Sequence, residues 1–595
     1  MMMKAITSDR RLFRLICGVL ALLMLLSSCS GGEGDAATED PTVTESAGPS
    51  ILRIAENGAS DYTIVYARAD GDDVFNAVLT LLDAVKEKTG ATLKVRQLAL
   101  GETAEGIDRA ILIGKSVCGT DRSLKKTDYV IRASGNNILI NAQNIEELLK
   151  AMTYFSQKLI PNVCTDGAFT LEADYCYLRA TSYIYKDVNL LGESIGAYTI
   201  VIPQNASTYE IYAAKLIYEH ISSQIGFCLD IVTDDTAPTE REIVIGQTNR
   251  ASYTPILYSY TIKAQGTKLL LQAADLYSCG MMADYVVSKM LFSKEDIIEL
   301  GQVETISKNV SEELSPLQNQ SFGNYRILFN NILGNCDQEL YPVAKRNEML
   351  LEIYKSYNPD VIGLQECSAN SRKYSSIIAG LEAQGYREVP VTGCSGNLYT
   401  PVLYKADRFE LVASGYRLFS LNADKDGSKS LVWAVLRDRT TKETFAVLST
   451  HFTVYGSDTN PVELARVGNA TEVLEEIEHI RKTYGCPVVI GGDLNCNLSS
   501  DALKLLAQTG VLAQTAAPVT DHTKTSHLYP TYSKDLDIYV EFSSPKQNAS
   551  QESIDHIWFF NSQNVSINAY DVCADKYACL STDHCPLIVD FSLGA

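Results

Sequence analysis

Residues 60–295 hold one pattern written twice, and no other feature constrains the fold as much. Asp61-Tyr-Thr-Ile-Val65 returns as Ala197-Tyr-Thr-Ile-Val201, and Ala110-Ile-Leu-Ile-Gly114 as Glu242-Ile-Val-Ile-Gly246. Asp128-Tyr-Val-Ile-Arg132 returns as Ser259-Tyr-Thr-Ile-Lys263, and the stretch ending Tyr154 to Lys158 matches Tyr285 to Lys289. A duplicated sequence folds as a duplicated unit. Each copy reads as a strand, an amphipathic helix (Val74 to Thr89; Tyr209 to Ile225), three strands and a second helix, hence a small α/β layer. The predicted units are 51–180 and 181–300. A polar stretch, 301–321, follows as a linker, and cutting there is expected to expose little apolar surface, so a fragment starting near Ser321 should fold and act on a small ester.

The second copy's Glu242-Ile-Val-Ile-Gly-Gln-Thr-Asn-Arg250 resembles the non-catalytic α/β domain that precedes the barrel in hexosaminidase-like and glucuronidase-like glycoside hydrolases. No barrel follows and no carboxylate pair stands out, so glycosidase activity is not carried over. Two readings of the copies remain, a packing platform and a dock for surface glycan or substrate.

The first residues are a targeting segment. Lys4, Arg10, Arg11 and Arg14 precede an apolar run from Leu15 to Leu26, shorter than the roughly twenty residues a spanning helix needs. Leu26-Ser27-Ser28-Cys29 resembles the bacterial lipobox, which implies a signal peptide over 1–29, lipidation of Cys29, and export to the outer face of a bacterial membrane. An ordinary cleaved signal is the alternative. Residues 30–50 are Gly, Glu, Asp, Thr, Pro and Ser with little to bury, as in a flexible tether. The other cysteines, among them Cys228, Cys336, Cys367, Cys496 and Cys585, show no zinc spacing and adjoin apolar or motif residues, so they read as small buried hydrophobes rather than a disulfide array.

From Tyr325 onward the pattern changes to short apolar strands, each ending in a polar residue a core would not choose. Arg326-Ile-Leu-Phe-Asn330 runs into Asn331, Asp360-Val-Ile-Gly-Leu-Gln365 into Glu366, Phe445-Ala-Val-Leu-Ser-Thr450 into His451, and Val488-Val-Ile-Gly-Gly492 into Asp493 and Asn495. Ser553-Ile-Asp555-His556 and Ser581-Thr-Asp583-His584 put Asp-His pairs before two further strands. Strand ends are where loops begin, so residues remote in sequence can meet there. Taken alone, an Asp-x-Asn is usually a turn and a His after a strand a half-exposed side chain. Six together in one order point to a site.

That ordered set resembles the endonuclease/exonuclease/phosphatase superfamily of metal-dependent phosphoesterases, over residues 322–595. The family pattern is an Asn after the first strand, Leu-Gln-Glu, Thr-His, Gly-Asp-x-Asn, Ile-Asp-His/Tyr and Ser-Asp-His. Here Thr582 replaces the usual Ser, and Asn331 is taken over Asn330 because Asn-Ile-Leu is the familiar form. The resemblance implies a four-layer α/β sandwich with two central sheets flanked by helices, and hydrolysis of a phosphodiester or phosphomonoester by in-line attack of water. Phosphate ester hydrolysis needs charge neutralised on the non-bridging oxygens and a positioned water. Mg²⁺ or Mn²⁺ takes oxygen ligands, expected from Glu366, Asp583 and Asn331. Asp493 and Asn495 are expected to face the water and the phosphate. His584, oriented by Asp555, is expected as general base or electrostatic partner, and His451 as a donor to a phosphoryl oxygen or the leaving group.

The chain carries 51 Lys plus Arg against 72 Asp plus Glu, a formal charge of −21, and residues 321–595 carry 23 against 32, a difference of −9. No basic stripe follows a nucleic-acid backbone, so nucleic acid is a disfavoured substrate beside a nucleotide, sugar phosphate or lipid headgroup. Tyr404, Arg466, His522, His527 and Tyr532 are further pocket candidates, each equally readable as packing or surface. The Glu472, Glu475, Glu476, Glu478 cluster reads as a solvated helix face. A second function class is a cell-surface binding lipoprotein with an inactive esterase-like domain, and it predicts degraded catalytic positions.

Overall fold

In the computed structural model the main sheets of the two copies share one topology, strand for strand, while their small accessory sheets differ. The model describes residues 51–334, 343–367, 375–391, 399–421, 429–454, 461–520 and 553–594. The expected signal segment and tether, with Cys29, Cys336, His522, His527 and Tyr532, lie outside them. The first copy runs β1 (Thr63–Ala67), α1 (Asp72–Thr89), β2 (Lys94–Leu98), β3 (Ala110–Ile113), β4 (Tyr129–Ser134), β5 (Asn137–Ala142), α2 (Ile145–Tyr154) and β6 (Cys176–Arg179). The second runs β7 (Thr199–Ile202), α3 (Thr208–Gln224), β8 (Ile231–Thr233), β9 (Glu242–Ile245), β10 (Ser259–Gln265), β11 (Lys268–Gln272), α4 (Leu276–Tyr285) and β12 (Ile306–Asn309). Their sheets order as β2-β1-β3-β5-β4-β6 and β8-β7-β9-β11-β10-β12.

The correspondence extends to local chemistry. Asn144 and Asp275 cap α2 and α4 with nearly the same backbone angles, and each helix passes into a π-helical turn, Phe155–Leu159 and Val286–Met290. Each copy has two strands more than the sequence pattern predicts: β4–β5 and β10–β11 are hairpins whose two-residue turns interrupt the apolar runs too briefly to be read, and an edge strand, β6 or β12, follows the second helix.

The expected linker is not one. Residues 306–309 form β12, the edge strand of the second sheet, paired with β10. A short helix, Pro316–Asn319, then buries Leu317 fully. Leu314 and Leu317 belong to the same apolar cluster as Leu276 and Tyr277 of α4 and as Leu328, Leu350, Tyr354 and Ile588 further on. Polar composition hid two apolar anchors spaced to face one way.

Beyond Tyr325 two sheets lie face to face. The first has β13 (Tyr325–Asn331), β14 (Val361–Gln365), β15 (Tyr386–Glu388) and β16 (Val402–Lys405). The second has β17 (Phe409–Leu418), β18 (Ser430–Asp438), β19 (Thr444–His451), β20 (Val488–Asp493), β21 (Val511–Leu512) and β23 (Asp555–Phe560). The first is completed by β22 (Val519–Thr520), β24 (Val565–Val572) and β25 (Leu587–Leu593), giving β15-β16-β14-β13-β25-β24-β22 against β17-β18-β19-β20-β23-β21.

Alternation assigns the faces. Ile327 and Phe329 of β13 meet Val432, Val447, Val489 and Ile557 of the second sheet, while Leu328 turns outward to Leu350, Ile353 and Tyr354 of helix α5 (Val343–Tyr357). Ala470, Val473, Ile477 and Ile480 of helix α6 (Pro461–Tyr484) cover the other sheet's outer face. The result is the expected four-layer sandwich, its two sheets packed face to face and covered by helices on their outer faces.

The described cysteines form no disulfide, and most are buried. Among the described residues no helix is long and apolar enough to cross a membrane.

Candidate active site

Strand register gathers the polar residues along one edge of the two sheets. In the first sheet Asn331 stands opposite Gln365 across a parallel pair. In the second His451 stands opposite Asp493, and Asp493 opposite Asp555. Gln365 crosses between the sheets, its Nε2 donating to Ser449 Oγ at 3.0 Å while Ser449 Oγ donates to Leu364 O at 3.0 Å, so the floor of the site is tied together by polar contacts. Gly492 takes φ 133°, and a Cβ there would strike the carbonyl of Thr450, so only glycine fits beside Asp493. Glu366 and Asn495, directly past their strands, sit in the left-handed region at φ 57° and 51°.

Asp493 is the hub. Its Oδ2 accepts from Asn331 Nδ2 at 3.1 Å and lies 3.3 Å from His451 Nε2 and 3.7 Å from His584 Nε2. Its Oδ1 accepts the Asn495 N–H at 2.8 Å, so the Asp-x-Asn is both a turn and part of the site. Burial would raise the Asp493 pKa, but His584 and His451, with Lys429, outweigh it and hold the carboxyl far below its usual range. His584 Nδ1 lies 2.9 Å from Asp555 Oδ2. Burial pushes the imidazole pKa down, and Asp555, Asp493 and Asp583 together raise it well above normal.

One acid group is left short of a hydrogen-bond donor. Asp583 is pushed up to about 6, first by burial and then by the negative charge of Glu366, and its Oδ1 is buried with no hydrogen-bond partner. A buried carboxylate oxygen with no hydrogen bond and His584 Nε2 no nearer than 3.9 Å, beside a second carboxylate, is what a hard divalent cation would satisfy, so Glu366 and Asp583 fit one. Asp493, Asp555 and His584 also bring ligand-type atoms within 4.8 Å of one another. There, however, the imidazole is already engaged by Asp555, which makes that trio an Asp-His-Asp chain rather than a ligand set.

Asn331, expected among the metal ligands, is turned otherwise. Its oxygen accepts the Leu333 N–H at 3.1 Å while Nδ2 reaches Glu366 Oε1 at 3.3 Å as well as Asp493, so it spans the two carboxylates as a donor. Asn495 Nδ2 donates to Phe452 O at 2.9 Å, which fixes the loop after β20 to the chain after His451. Thr582 Oγ1 donates to Asn331 O at 2.7 Å.

Other candidates fall elsewhere. Tyr404 is packed in the core between the sheets. Arg466 donates to the carbonyls of Thr453 and Val454, bracing the loop after His451. His556 is turned to Cys496 O at 3.0 Å and pushed down to about 4 by burial. Glu472 is not solvated: it is buried and accepts from Arg417 Nε and Ser420 Oγ.

Two residues escaped the strand-end rule. Lys429 is 3% exposed with Nζ 2.7 Å from His451 Nε2, and Tyr399 stacks on the His451 ring at 5.5 Å and 14°. Ser430, the first residue of β18, lies opposite His451 across an antiparallel pair, so the start of β18 reaches the edge where the other strands end.

Residues 331–567 match the sequence profile of the Endonuclease/Exonuclease/phosphatase family. No curated protein matches the chain significantly. Among solved structures, an endonuclease/exonuclease/phosphatase from Bacteroides vulgatus is similar at 23% identity and a TM-score of 0.36, covering 45% of this chain and 98% of that one. A mannosyl-6-phosphatase from Bacteroides thetaiotaomicron is 18% identical at 0.36, covering 45% and 99%. The human Nocturnin catalytic domain with bound sulfate is 18% identical at 0.34, covering 45% and 94%.

Proposed function

We propose that this chain is an exported, metal-dependent phosphoesterase acting by in-line attack of water, a reading supported by the match of residues 331–567 to the profile of the Endonuclease/Exonuclease/phosphatase family. The observation that supports it most is the surplus of buried carboxylate at one edge: Asp583 lacks a hydrogen-bond partner at Oδ1 and Glu366 opposes its ionisation. Glu366 and Asp583 would hold Mg²⁺ or Mn²⁺, with Asn331 orienting Glu366 and Asp493. The bound ion would supply positive charge to the non-bridging phosphoryl oxygens.

The chain's own residues divide the remaining work. Asp493, held ionised by His584 and Lys429 among its neighbours, accepts a hydrogen bond from the attacking water, and Asn495 fixes it in place, its N–H on Asp493 Oδ1 and its Nδ2 on Phe452 O. His584 is held in one orientation by Asp555 and bears on the same side as Asp493. His451, backed by Tyr399 and Lys429, donates to a phosphoryl oxygen or the leaving oxygen. Every polar position of the set is filled, which an inactive binding protein would not require.

An extracellular nucleotide, sugar phosphate or lipid headgroup suits a domain whose charged residues sum to −9 better than a nucleic acid does. Lipidation at Cys29 would place the enzyme on the outer face of the membrane. For the duplicated unit we favour the platform over glycan docking, because α4 is buried against the catalytic domain. The test is hydrolysis of bis-p-nitrophenyl phosphate with Mg²⁺ or Mn²⁺, then a panel of nucleotides, sugar phosphates, sphingomyelin, inositol phosphates and nucleic acids under one set of conditions. Activity should vanish with excess chelator and return with the ion. Turnover that persists in chelator would remove the metal from the reading.

A further inference from the structure

We propose that the second repeat is a working part of the catalytic centre, with Tyr277 and Asp284 of α4 acting as positioning residues for the Thr582-Asp583-His584 loop. The proposal rests on the phosphoesterase reading of that loop. Helix α7 (Lys576–Ser581) leads into the loop without a break, since Thr582 N–H donates to Ala578 O at 3.1 Å. Asp575 caps this helix, its Oδ1 accepting the N–H groups of Tyr577 and Ala578 at 2.9 Å each. The other oxygen of Asp575 accepts Tyr277 Oη at 2.8 Å, so one carboxylate fastens the catalytic helix to the second repeat. One residue on, Lys576 Nζ meets both oxygens of Asp284 at 2.5 and 2.6 Å.

Between these two links the Tyr577 ring stands edge-on to Tyr277 at 5.4 Å and to Tyr212 of α3 at 6.3 Å. At its far end α7 is held by Arg346 of α5, which donates to Ser581 O at 2.9 Å and to the carbonyls of Ile332 and Leu333 just past Asn331. The loop therefore leaves a helix whose first turn is set by the repeat and whose last turn is set by the strand bearing Asn331.

The two copies provide an internal control. With Asn144 and Asp275 as equivalent caps, Tyr277, Gly280 and Asp284 of α4 correspond to Glu146, Leu149 and Thr153 of α2. A Cβ on Gly280 would overlap the Tyr577 hydroxyl, so the Leu149 of the first copy could not occupy this place. Helix α2 buries one face, while α4 is buried nearly all round. Only the second copy carries the residues that seat it on α7.

The test uses the full chain with Asp284→Lys and Lys576→Asp, singly and together, and with Tyr277→Phe. Each single charge reversal should lower kcat on bis-p-nitrophenyl phosphate by about 10- to 10²-fold with KM little changed, because displacement near 1 Å is costly. Mn²⁺ affinity, measured by calorimetry without substrate, should weaken, amide exchange across residues 582–585 should quicken, and the double variant should recover most of each. If the reversals do not fold, Tyr277→Phe decides: a several-fold lower kcat supports the proposal and an unchanged one overturns it. Folded reversals with wild-type kcat, Mn²⁺ affinity and exchange would also overturn it. A wild-type chain inert on every ester defeats the phosphoesterase reading instead, and exchange across 582–585 still decides the positioning.

Discussion

Leu317→Ala should destabilise the C-terminal domain selectively, although residue 317 lies before its first strand. The side chain is 0% exposed and packs among Leu328, Leu350, Tyr354 and Ile588. Removing a buried leucine down to alanine costs about 2–5 kcal/mol. The backbone is engaged too: Arg326 Nη1 donates to Leu317 O and Nη2 to Gln320 O, while Arg326 pairs with Asp590 inside the core. Both tryptophans, Trp433 and Trp558, lie in the second sheet of this domain, so their fluorescence in urea reports its unfolding and not that of the repeats. With a urea slope of about 3 kcal/mol per molar, the midpoint should fall by about 0.7–1.7 M. Glu304→Ala, at an exposed position, should leave it in place. An unmoved midpoint for Leu317→Ala would mean that 301–321 is a tether after all. By the same reasoning a fragment starting at Ser321, which loses Leu314, Leu317 and two acceptors of Arg326, should not fold cooperatively, whereas one starting at Ser259 should retain these contacts.

Glu366→Ala should lose Mn²⁺ binding in calorimetry, while His584→Ala should bind the ion and turn over about 10²- to 10⁴-fold more slowly; equal small effects would place the site elsewhere. Lys429→Met should cost about 10²-fold in kcat/KM, with Lys429→Arg recovering part, and a neutral result would reduce Lys429 to packing. Cys29→Ala should abolish labelling by a clickable fatty acid and release the protein or leave its precursor uncleaved. If the variant stays on the membrane with its signal removed, the anchor lies elsewhere.

The candidate site residues were legible in the sequence because each lies at or beside the end of a strand, and strands announce themselves by apolar runs. Asn331, Glu366, His451 and Asp493 needed only that rule. The duplication was legible for a similar reason, since matched apolar strands recur in order. Lys429 was not, because β18 runs antiparallel to β19 and brings its beginning, not its end, to the site, and strand direction is a property of pairing rather than of the strand. Nor could the sequence orient the Asn331 amide, which is set by Leu333 N–H and two carboxylates from other strands. The seating of the second repeat was hidden most completely. Tyr277, Gly280 and Asp284 have ordinary helical spacing, and their meaning depends on Asp575, Lys576 and Tyr577 nearly three hundred residues away. Local sequence determines which residues end strands and cap helices, since those depend on near neighbours along the chain. Which of them share a carboxylate or fill one another's space is decided by packing, because those energies arise only when distant segments meet.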